Sequence, residues 1–415
     1  MNIKTIDEYL DELKNRKAVL EEILDRYGVD YGDEKSALFR TECNELKKLK
    51  VAAIMDAFTL GNFRSECDLL EVTADNWQAQ LEEFRPDLFF LESAWEGKDK
   101  SWYKKIANGS KELYDLTAYC HAKSIPVIFW NKEDPVYTDV FMSAASCADY
   151  VFTTDFDCIE RYKRTLQHNN VYLLHFSAQP LVHNPVEMHD RKDKFCFAGA
   201  YYHRYKDRSR VFDAFADAFE KGKGLEIYDR NLGSARPEHA FPQRYNKMIV
   251  GTLKPDDIHI AYKGYNYGIN MNSVGQSQTM FARRVFELLA SNTVSVGNYA
   301  RGVRNIFGDL TVATDSADTM QKQLDKYCGT KENYRKFRLL GLRKVLKEHL
   351  CEDRLGFIAR CVFGRDMRQK LPCVTVVASA SSDDEKLRVR KAFDRQNYEN
   401  RKLVFTDEEI KITEG

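Results

Sequence analysis

Net charge is missing from this chain, because 63 Lys and Arg residues are balanced by 63 Asp and Glu. No global field draws it to nucleic acid or to an anionic membrane, so a polyanion site has to be built locally. Paired cysteine motifs are missing as well. The ten cysteines form no C-x-x-C pair and most sit in apolar runs such as Lys194-Phe195-Cys196-Phe197, the pattern of small buried hydrophobes in a reducing compartment. His175, His183 and His203 lack any H-x-x-x-H or cysteine-containing spacing, which argues against zinc. The nucleophile elbow G-x-S-x-G, the P-loop G-x-x-x-x-G-K-[ST] and the dinucleotide turn G-x-G-x-x-G are all absent, so hydrolase, kinase and nicotinamide readings lose their usual support. There is neither a signal-peptide pattern nor an 18-residue uncharged apolar run. The expectation is a cytoplasmic protein with no direct membrane insertion, which a partner could still hold at a membrane.

What is present is enough apolar material for large cores: 43% of the 415 residues are hydrophobic and 12% aromatic. That length favours two domains. Residues 1–50 read as a helical hairpin, with Ile6, Leu10, Leu13, Leu20, Leu24 and Tyr27 at helical steps before Gly28, and a second helix over 34–49. Its apolar stripe packs on its own domain or serves a homodimer or partner contact.

From Val51 short apolar runs alternate with amphipathic stretches. Strands are predicted at Val51–Met55, Asp87–Leu91, Pro126–Trp130, Tyr150–Thr153 and Val171–Phe176, with a helix over Trp102–Lys123. A second series follows His183-Asn184-Pro185, with strands at Phe195–Ala198, Leu225–Tyr228, Lys247–Val250, Tyr267–Met271, Thr293–Val296 and Leu310–Ala313, and helices at Ser209–Glu220, Pro255–Tyr262 and Thr279–Ala290. Two parallel, doubly wound α/β sheets are implied, over 51–182 and 183–370, the second closed by helices Lys331–Leu350 and Arg354–Arg368. The tail 371–415 makes one strand-helix-strand unit that resembles the start of a GT-A domain, without an Asp-x-Asp motif. Such sheets bind ligands at the carboxyl ends of their strands, at the point where strand order reverses.

The most informative stretch runs from Gly268 to Leu289, where a buried strand enters an Asn/Ser/Thr-rich loop through Asn272, Ser277 and Thr279 and opens a helix carrying Arg284 and Glu287. Free backbone N–H groups there suit a phosphate, and residues three apart can offer a guanidinium to a diphosphate and a carboxylate to a ribose. The plain alternative is a solvated Arg283–Glu287 salt bridge. A second element, Phe197 to Arg208, ends a strand in Gly199 and then sets Arg204, Lys206 and Arg208 before the next helix.

Together with Phe-Ala-Gly-Ala-Tyr-Tyr at 197–202, Ile-Tyr-Asp-Arg at 227–230, Ala-Tyr-Lys-Gly-Tyr at 261–265, Ile-Asn-Met-Asn at 269–272 and Arg-Val-Phe-Glu at 284–287, the landmarks Leu91 to Trp95, Trp130 to Pro135 and Phe152 to Asp155 resemble the CgeB-type (spore maturation protein B-like) glycosyltransferases over most of residues 51–350. The resemblance implies a GT-B fold, two Rossmann-like domains facing a cleft. It implies a nucleotide-sugar donor, a UDP-sugar by expectation, held by the second domain, and a glycan, protein or small acceptor held by the first. It implies no essential metal and no cofactor, the nucleotide-sugar being a substrate, and no nucleic-acid partner. Glu287 would hold the ribose, Arg284 the diphosphate, and Gly199 would let backbone approach it, with Arg208, Asn272, Ser277 and Thr279 around the donor. The first glutamate of the E-x7-E pattern of related retaining enzymes is replaced by Thr279, which leaves retention or inversion open. An inverting reaction needs a base at the first domain's strand ends, for which Asp56, Glu92 and Asp134 are the candidates. A noncatalytic sugar- or nucleotide-binding module of a larger glycan-assembly protein is the alternative reading.

Overall fold

The computed structural model describes residues 14, 38–187, 189–233, 240–254, 257–367 and 372–406. Of the helical hairpin expected over residues 1–50, the first helix lies outside the described residues save residue 14, and the second, expected over 34–49, is not borne out where residues are described: 38–45 are not helical and only a single 3-10 turn, Leu46–Lys48, precedes the first strand. Both sheets belong to the compact unit that begins at Thr41.

Six short strands form the first sheet: β1 (Lys50–Ile54), β2 (Asp68–Glu71), β3 (Leu88–Glu92), β4 (Val127–Asn131), β5 (Tyr150–Thr153) and β6 (Val171–Leu173). They are parallel throughout, in the order β2-β1-β3-β4-β5-β6. Val51 to Ile54, Leu88 to Leu91 and Val127 to Phe129 are each fully buried, as expected of strands covered by helices on both faces, and this is why they read as unbroken apolar runs. The edge strand β2 was not predicted: its Asp-Leu-Leu-Glu sequence is too short and too acidic to announce itself. Strand order reverses at β1, so the crevice between the carboxyl ends of β1 and β3 is the binding position of this sheet.

The second sheet repeats the plan with β7 (Lys192–Gly199), β8 (Leu225–Asp229), β9 (Ile249–Gly251), β10 (Tyr265–Asn270), β11 (Val294–Gly297) and β12 (Val312–Ala313). Its order is β12-β11-β10-β7-β8-β9, again all parallel. The reversal lies between β7 and β10. The two halves are thus doubly wound α/β units, the expected architecture.

The helices of use here are α1 (Ala57–Phe63), α2 (Trp77–Phe84), α3 (Lys111–Ala122), α4 (Thr138–Ala145), α5 (Cys158–Leu166), α6 (Lys206–Lys221), α7 (Ile258–Lys263), α8 (Arg284–Ala290), α9 (Arg301–Phe307), α10 (Ala317–Cys328), α11 (Lys331–Glu348) and α12 (Cys351–Phe363). Two of them start later than their apolar spacing suggests. The helix expected from Trp102 begins at Lys111, because Asp99, Lys100, Lys104 and Asn108 adopt left-handed φ, which a right-handed helix excludes. Trp102 itself is buried and donates its indole N–H to the Val72 carbonyl at 2.9 Å, fixing that loop on the sheet.

Sequence continuity assigns the last helices to the second half, but α12 returns to the first. Its Phe357 ring meets Phe152 and Tyr172, both at 6.2 Å, and Arg354 donates to the carbonyls of His175 and Phe176 at 3.0 and 3.1 Å. Chain crossing at 174–183 and at 348–354 therefore ties the halves together at one end, through a parallel bridge between Ala178 and Leu350. The tail forms a parallel pair, β13 (Val374–Ser379) and β14 (Arg401–Thr406), joined by α13 (Asp383–Asp394).

Candidate functional site

The carboxyl ends of the two sheets face each other. Thr279, in the loop after β10, donates its hydroxyl to the Thr154 carbonyl at 3.0 Å and accepts the Phe156 N–H at 2.8 Å, both partners lying just past β5. Gln278 donates to Asp157 at 2.6 Å. Arg204, after β7, reaches the Tyr137 hydroxyl at 3.4 Å, and the Arg283 guanidinium lies 3.8 Å from the centre of the Phe58 ring, just past β1. Both switch points lie at the strand ends that these contacts join.

On the second-sheet side the cleft collects guanidinium groups. Arg284 enters at the first turn of α8, donates to the Ala198 carbonyl, lies over the Phe197 ring at 5.5 Å, and keeps a buried Nε without a hydrogen-bond partner. Arg208, on the first turn of α6 and 8% exposed, stacks on Tyr202 at 4.9 Å and makes only long contacts to the carbonyls of Met271 and Ala200, at 3.4 and 3.5 Å. Burial, and then the neighbouring Arg284 charge, push its pKa down to about 10. Arg230, the first residue after β8, is lowered for the same two reasons in the same order. No carboxylate among the described residues is within salt-bridge reach of Arg208, Arg230 or Arg284. Arg284 thus acts against the charges of Arg208 and Arg230, none of the three is salt-bridged among the described residues, and Glu287 is the carboxylate nearby that Arg284 acts on, so the site carries an excess of positive charge that an anion would relieve. Gly199 borders it: a Cβ there would stand 2.9 Å from the Phe197 ring edge and 3.4 Å from the Arg284 guanidinium, so a side chain would displace the group that shapes the pocket wall.

Glu287 is 5% exposed and occupies the floor behind these arginines. One oxygen takes the Tyr262 hydroxyl at 2.7 Å and the other faces Arg283 Nε at 3.1 Å. Burial alone would raise its pKa, but Arg283, His183, the Tyr262 hydrogen bond and Arg284 outweigh it, and the carboxyl is held below its usual range. The Arg283–Glu287 pair thus exists, but buried rather than solvated. A carboxylate has about four lone-pair sites, so two remain for ligand hydroxyls.

The loop after β10 departs from expectation. Its amides were to be free for a phosphate at a helix end starting near Thr279; instead Ser277 Oγ accepts the amides of Thr279 and Met280 at 3.3 and 2.8 Å, and Asn272 Oδ1 accepts that of Ala282 at 3.0 Å. Asn272 is further fixed by Asn298, which takes its amide at 2.7 Å. Asn272 and Ser277 therefore build the loop, and Thr279 bridges the cleft. The helix proper starts only at Arg284 because side chains, rather than helical carbonyls, occupy those amides.

Across the cleft, Lys132 joins Asp56 at 2.9 Å and Glu92 at 3.0 Å. Asp56 also accepts the amides of Trp95, Glu96 and Gly97 at 3.4 to 3.5 Å. Burial opposes its ionisation, yet Lys132 and these amides win, so its pKa is lowered, which suits an electrostatic anchor better than a base. Glu92 is fully buried and its oxygens are taken by Lys132, the Asp56 amide at 2.7 Å and the Thr59 hydroxyl. Asp134 is also fully buried, accepting from Asn131 at 2.9 Å, Thr138 at 2.7 Å, Thr153 at 2.6 Å and Tyr162 at 3.2 Å. Burial pushes its pKa up to about 6 against those bonds. It is a hub that fixes the turn after β4 and has no path to a substrate in the cleft.

Sequence reasoning missed its neighbour. Glu133 is half-buried at the same strand end, and its pKa is raised by burial, with Glu92 and Asp56 also raising it and Lys132 opposing. A carboxyl with those surroundings and partial exposure is the better placed proton acceptor on this side. Arg230, Arg283, Lys132 and Phe58 were likewise unassigned, although three of the four stand within four residues of a predicted strand's carboxyl end, where the switch-point rule would have flagged them.

Residues 208–360 match the family model for glycosyl transferase-like proteins, a span from Arg208 through α12. The chain is 22% identical over 198 residues to the spore protein CgeB of Bacillus subtilis (strain 168), covering 44% of this chain and 59% of that protein; the chain thus spans less than two thirds of that relative's length. Among solved structures it is similar to Anabaena HepE, solved with UDP and glucose, at 9% identity and a TM-score of 0.48 over 75% of this chain and 90% of that one. It is also similar to a glycosyltransferase from Rickettsia africae, at 10% identity and a TM-score of 0.47 over 74% and 87%, and to sucrose-phosphate synthase from Thermosynechococcus elongatus, at 12% identity and a TM-score of 0.47 over 70% and 77%.

Proposed function

We propose that this chain is a glycosyltransferase that moves a sugar from a nucleoside-diphosphate sugar to an acceptor hydroxyl, without needing a metal ion. The observation that carries the reading is the cluster of Arg208, Arg230 and Arg284, three cations with no salt-bridged carboxylate among the described residues, at the carboxyl end of the second sheet. A diphosphate supplies the missing negative charge. As the bond between the anomeric carbon and the diphosphate oxygen breaks, charge grows on the leaving group, and fixed guanidinium groups stabilise it without reorganising. They take the place that a divalent cation holds in other transferases. Glu287, already ionised, accepts the ribose hydroxyls.

On the other wall, Glu133 is the group assigned to take the acceptor's proton if the reaction inverts, while the Asp56–Lys132–Glu92 set orients the acceptor. If it retains, the leaving diphosphate can take the proton and Glu133 becomes a binding group. The glycan, protein or small-molecule nature of the acceptor belongs to this proposal, as does UDP as the nucleotide.

A noncatalytic nucleotide-sugar-binding module is the second reading, favoured by one observation: Asp56, Glu92 and Asp134 are all engaged by protein partners. Calorimetric titration with UDP-, GDP-, CDP- and ADP-sugars, with NAD as control, tests the donor site. Micromolar binding of one nucleotide-sugar with slow release of its nucleotide supports the transferase; binding without any turnover supports the module; silence across the panel removes both.

A further inference from the structure

Helix α11 divides into two faces of different character. Phe337, Gly341, Leu342 and Val345 are buried, and Gly341 approaches α8 so closely that a Cβ there would lie 2.7 Å from Leu289. The opposite face carries Arg335, Lys336, Arg343 and Lys347, all exposed, and among the described residues none of them has an acidic partner within salt-bridge reach. Leu339 and Leu340, 42% and 43% exposed, stand between these cations. The steps 336, 339/340, 343 and 347 are three or four residues, so these side chains form one stripe. The nearby acids are few: Glu348 is paired with Lys344, and Glu332 lies at the helix start, where a recess lined by Asn292, Lys331, Glu332, Arg335, Arg338 and Leu339 extends the basic surface.

We propose that this face of α11 is a docking surface for an anionic lipid bilayer. Charge selects the partner's sign: the chain is neutral overall, yet this stripe concentrates cations, and a surface of anionic headgroups complements it. The leucines select a bilayer over a soluble polyanion. Apolar side chains beside cations whose stems can lie along an interface suit the boundary between headgroups and acyl chains, whereas a dissolved polyanion gives a leucine nothing to enter. Contact is at the bilayer surface; among the described residues no helix is long and apolar enough to cross a membrane. Because the inner face of α11 packs on α8, docking would hold the helix that carries Arg284 and Glu287 about one helix diameter, roughly 10 Å, behind the bilayer surface. The inference goes beyond the glycosyltransferase reading and does not depend on it.

The test is co-sedimentation of the full chain with vesicles of phosphatidylcholine alone and of phosphatidylcholine mixed with phosphatidylglycerol, at 0.1 M salt. Binding to the mixed vesicles only is expected. Each basic residue near an anionic surface contributes about fivefold in partitioning, so Arg335→Gln with Lys336→Gln and Arg343→Gln should weaken binding about a hundredfold. Leu339→Ser with Leu340→Ser should weaken it further, in a way that added salt does not reproduce. These side chains face solvent, so circular dichroism spectra should match the parent. Equal sedimentation with both vesicle types, or none with either, overturns the proposal. So does tight binding to soluble polyphosphate together with vesicle binding that the leucine substitutions leave intact.

Discussion

Replacing Arg284 by alanine separates a ligand-binding role from a structural one, because the two make opposite demands on the unliganded protein. In the structure Arg284 donates to the Ala198 carbonyl, leaves its buried Nε unpartnered, and lowers the pKa of Arg208 and Arg230. Removing it loses one hydrogen bond of about 1 kcal/mol and its attraction to Glu287, and relieves repulsion of comparable size with Arg208 and Arg230. The unliganded melting temperature should therefore move by no more than about 4 °C, the shift that 1 kcal/mol produces in a domain of this size. Nucleotide binding should respond differently. A hydrogen bond from a charged donor contributes about 1.5–3 kcal/mol, so Kd for the nucleotide-sugar should rise about 10- to 150-fold. Turnover should fall as well, since the leaving group's charge grows in the transition state. Differential scanning calorimetry of the empty protein and isothermal titration of the same preparation provide both numbers. A steep loss of thermal stability with unchanged Kd would refute the reasoning and make Arg284 a structural clamp on β7.

Glu133→Gln should lower turnover by about 10²- to 10⁴-fold, the usual weight of a general base, and should abolish a rise of rate with pH centred above the ordinary carboxylate range, as the raised Glu133 pKa requires; a pH–rate profile unchanged in the variant would exclude it as the base. For Asp134 the folded pKa is about 6 against an ordinary 3.8, so its contribution to stability is complete below pH 4 and is lost as pH rises through 6, by about 3 kcal/mol. The penalty of Asp134→Asn in denaturant unfolding should accordingly be largest near pH 4 and smaller at pH 7, and a penalty that grows with pH would contradict the assignment. Thr279→Ala removes two hydrogen bonds across the cleft, about 1–3 kcal/mol of the closed form; small-angle scattering should record a larger radius of gyration, and identical curves would show that Thr279 does not govern closure.

Most of the architecture was legible because parallel strands buried on both faces leave a strong mark. Val51 to Ile54 and Val127 to Trp130 are apolar at every position, and eleven of the twelve strands of the two sheets coincide with such runs or nearly so. The exception, β2, is an edge strand with acidic ends at Asp68 and Glu71, where only one neighbour has to be matched. The crossing of α12 was invisible for another reason. Its pattern requires an apolar partner but does not say which one, and the choice of Phe152 and Tyr172 on the distant sheet is made by the bridge at Ala178 and Leu350, a pairing 172 residues apart that no local rule reaches.

The site was legible to the extent that chemistry follows strand ends, and it blurred where side chains choose among partners. Gly199, Arg208, Arg284 and Glu287 stand together in the structure. Asn272 and Ser277 read as ligand groups because short polar side chains after a strand do equally well as ligand donors and as substitutes for helical hydrogen bonds, and in the structure they cap the loop's amides, while the Thr279 hydroxyl bridges to Thr154 and Phe156. Asp56, Glu92 and Asp134 were the candidate bases of the sequence, and Glu133, the neighbour of one of them, was not among them. Glu133 and Asp134 lie in the turn after β4, where no alternation fixes which side chain faces the interior; Thr138, Thr153 and Tyr162, arriving from α4, β5 and α5, draw Asp134 inward. Glu133 is left at the cleft by that choice. Which of the two carboxylates the interior satisfies thus decides which one is proposed as the base.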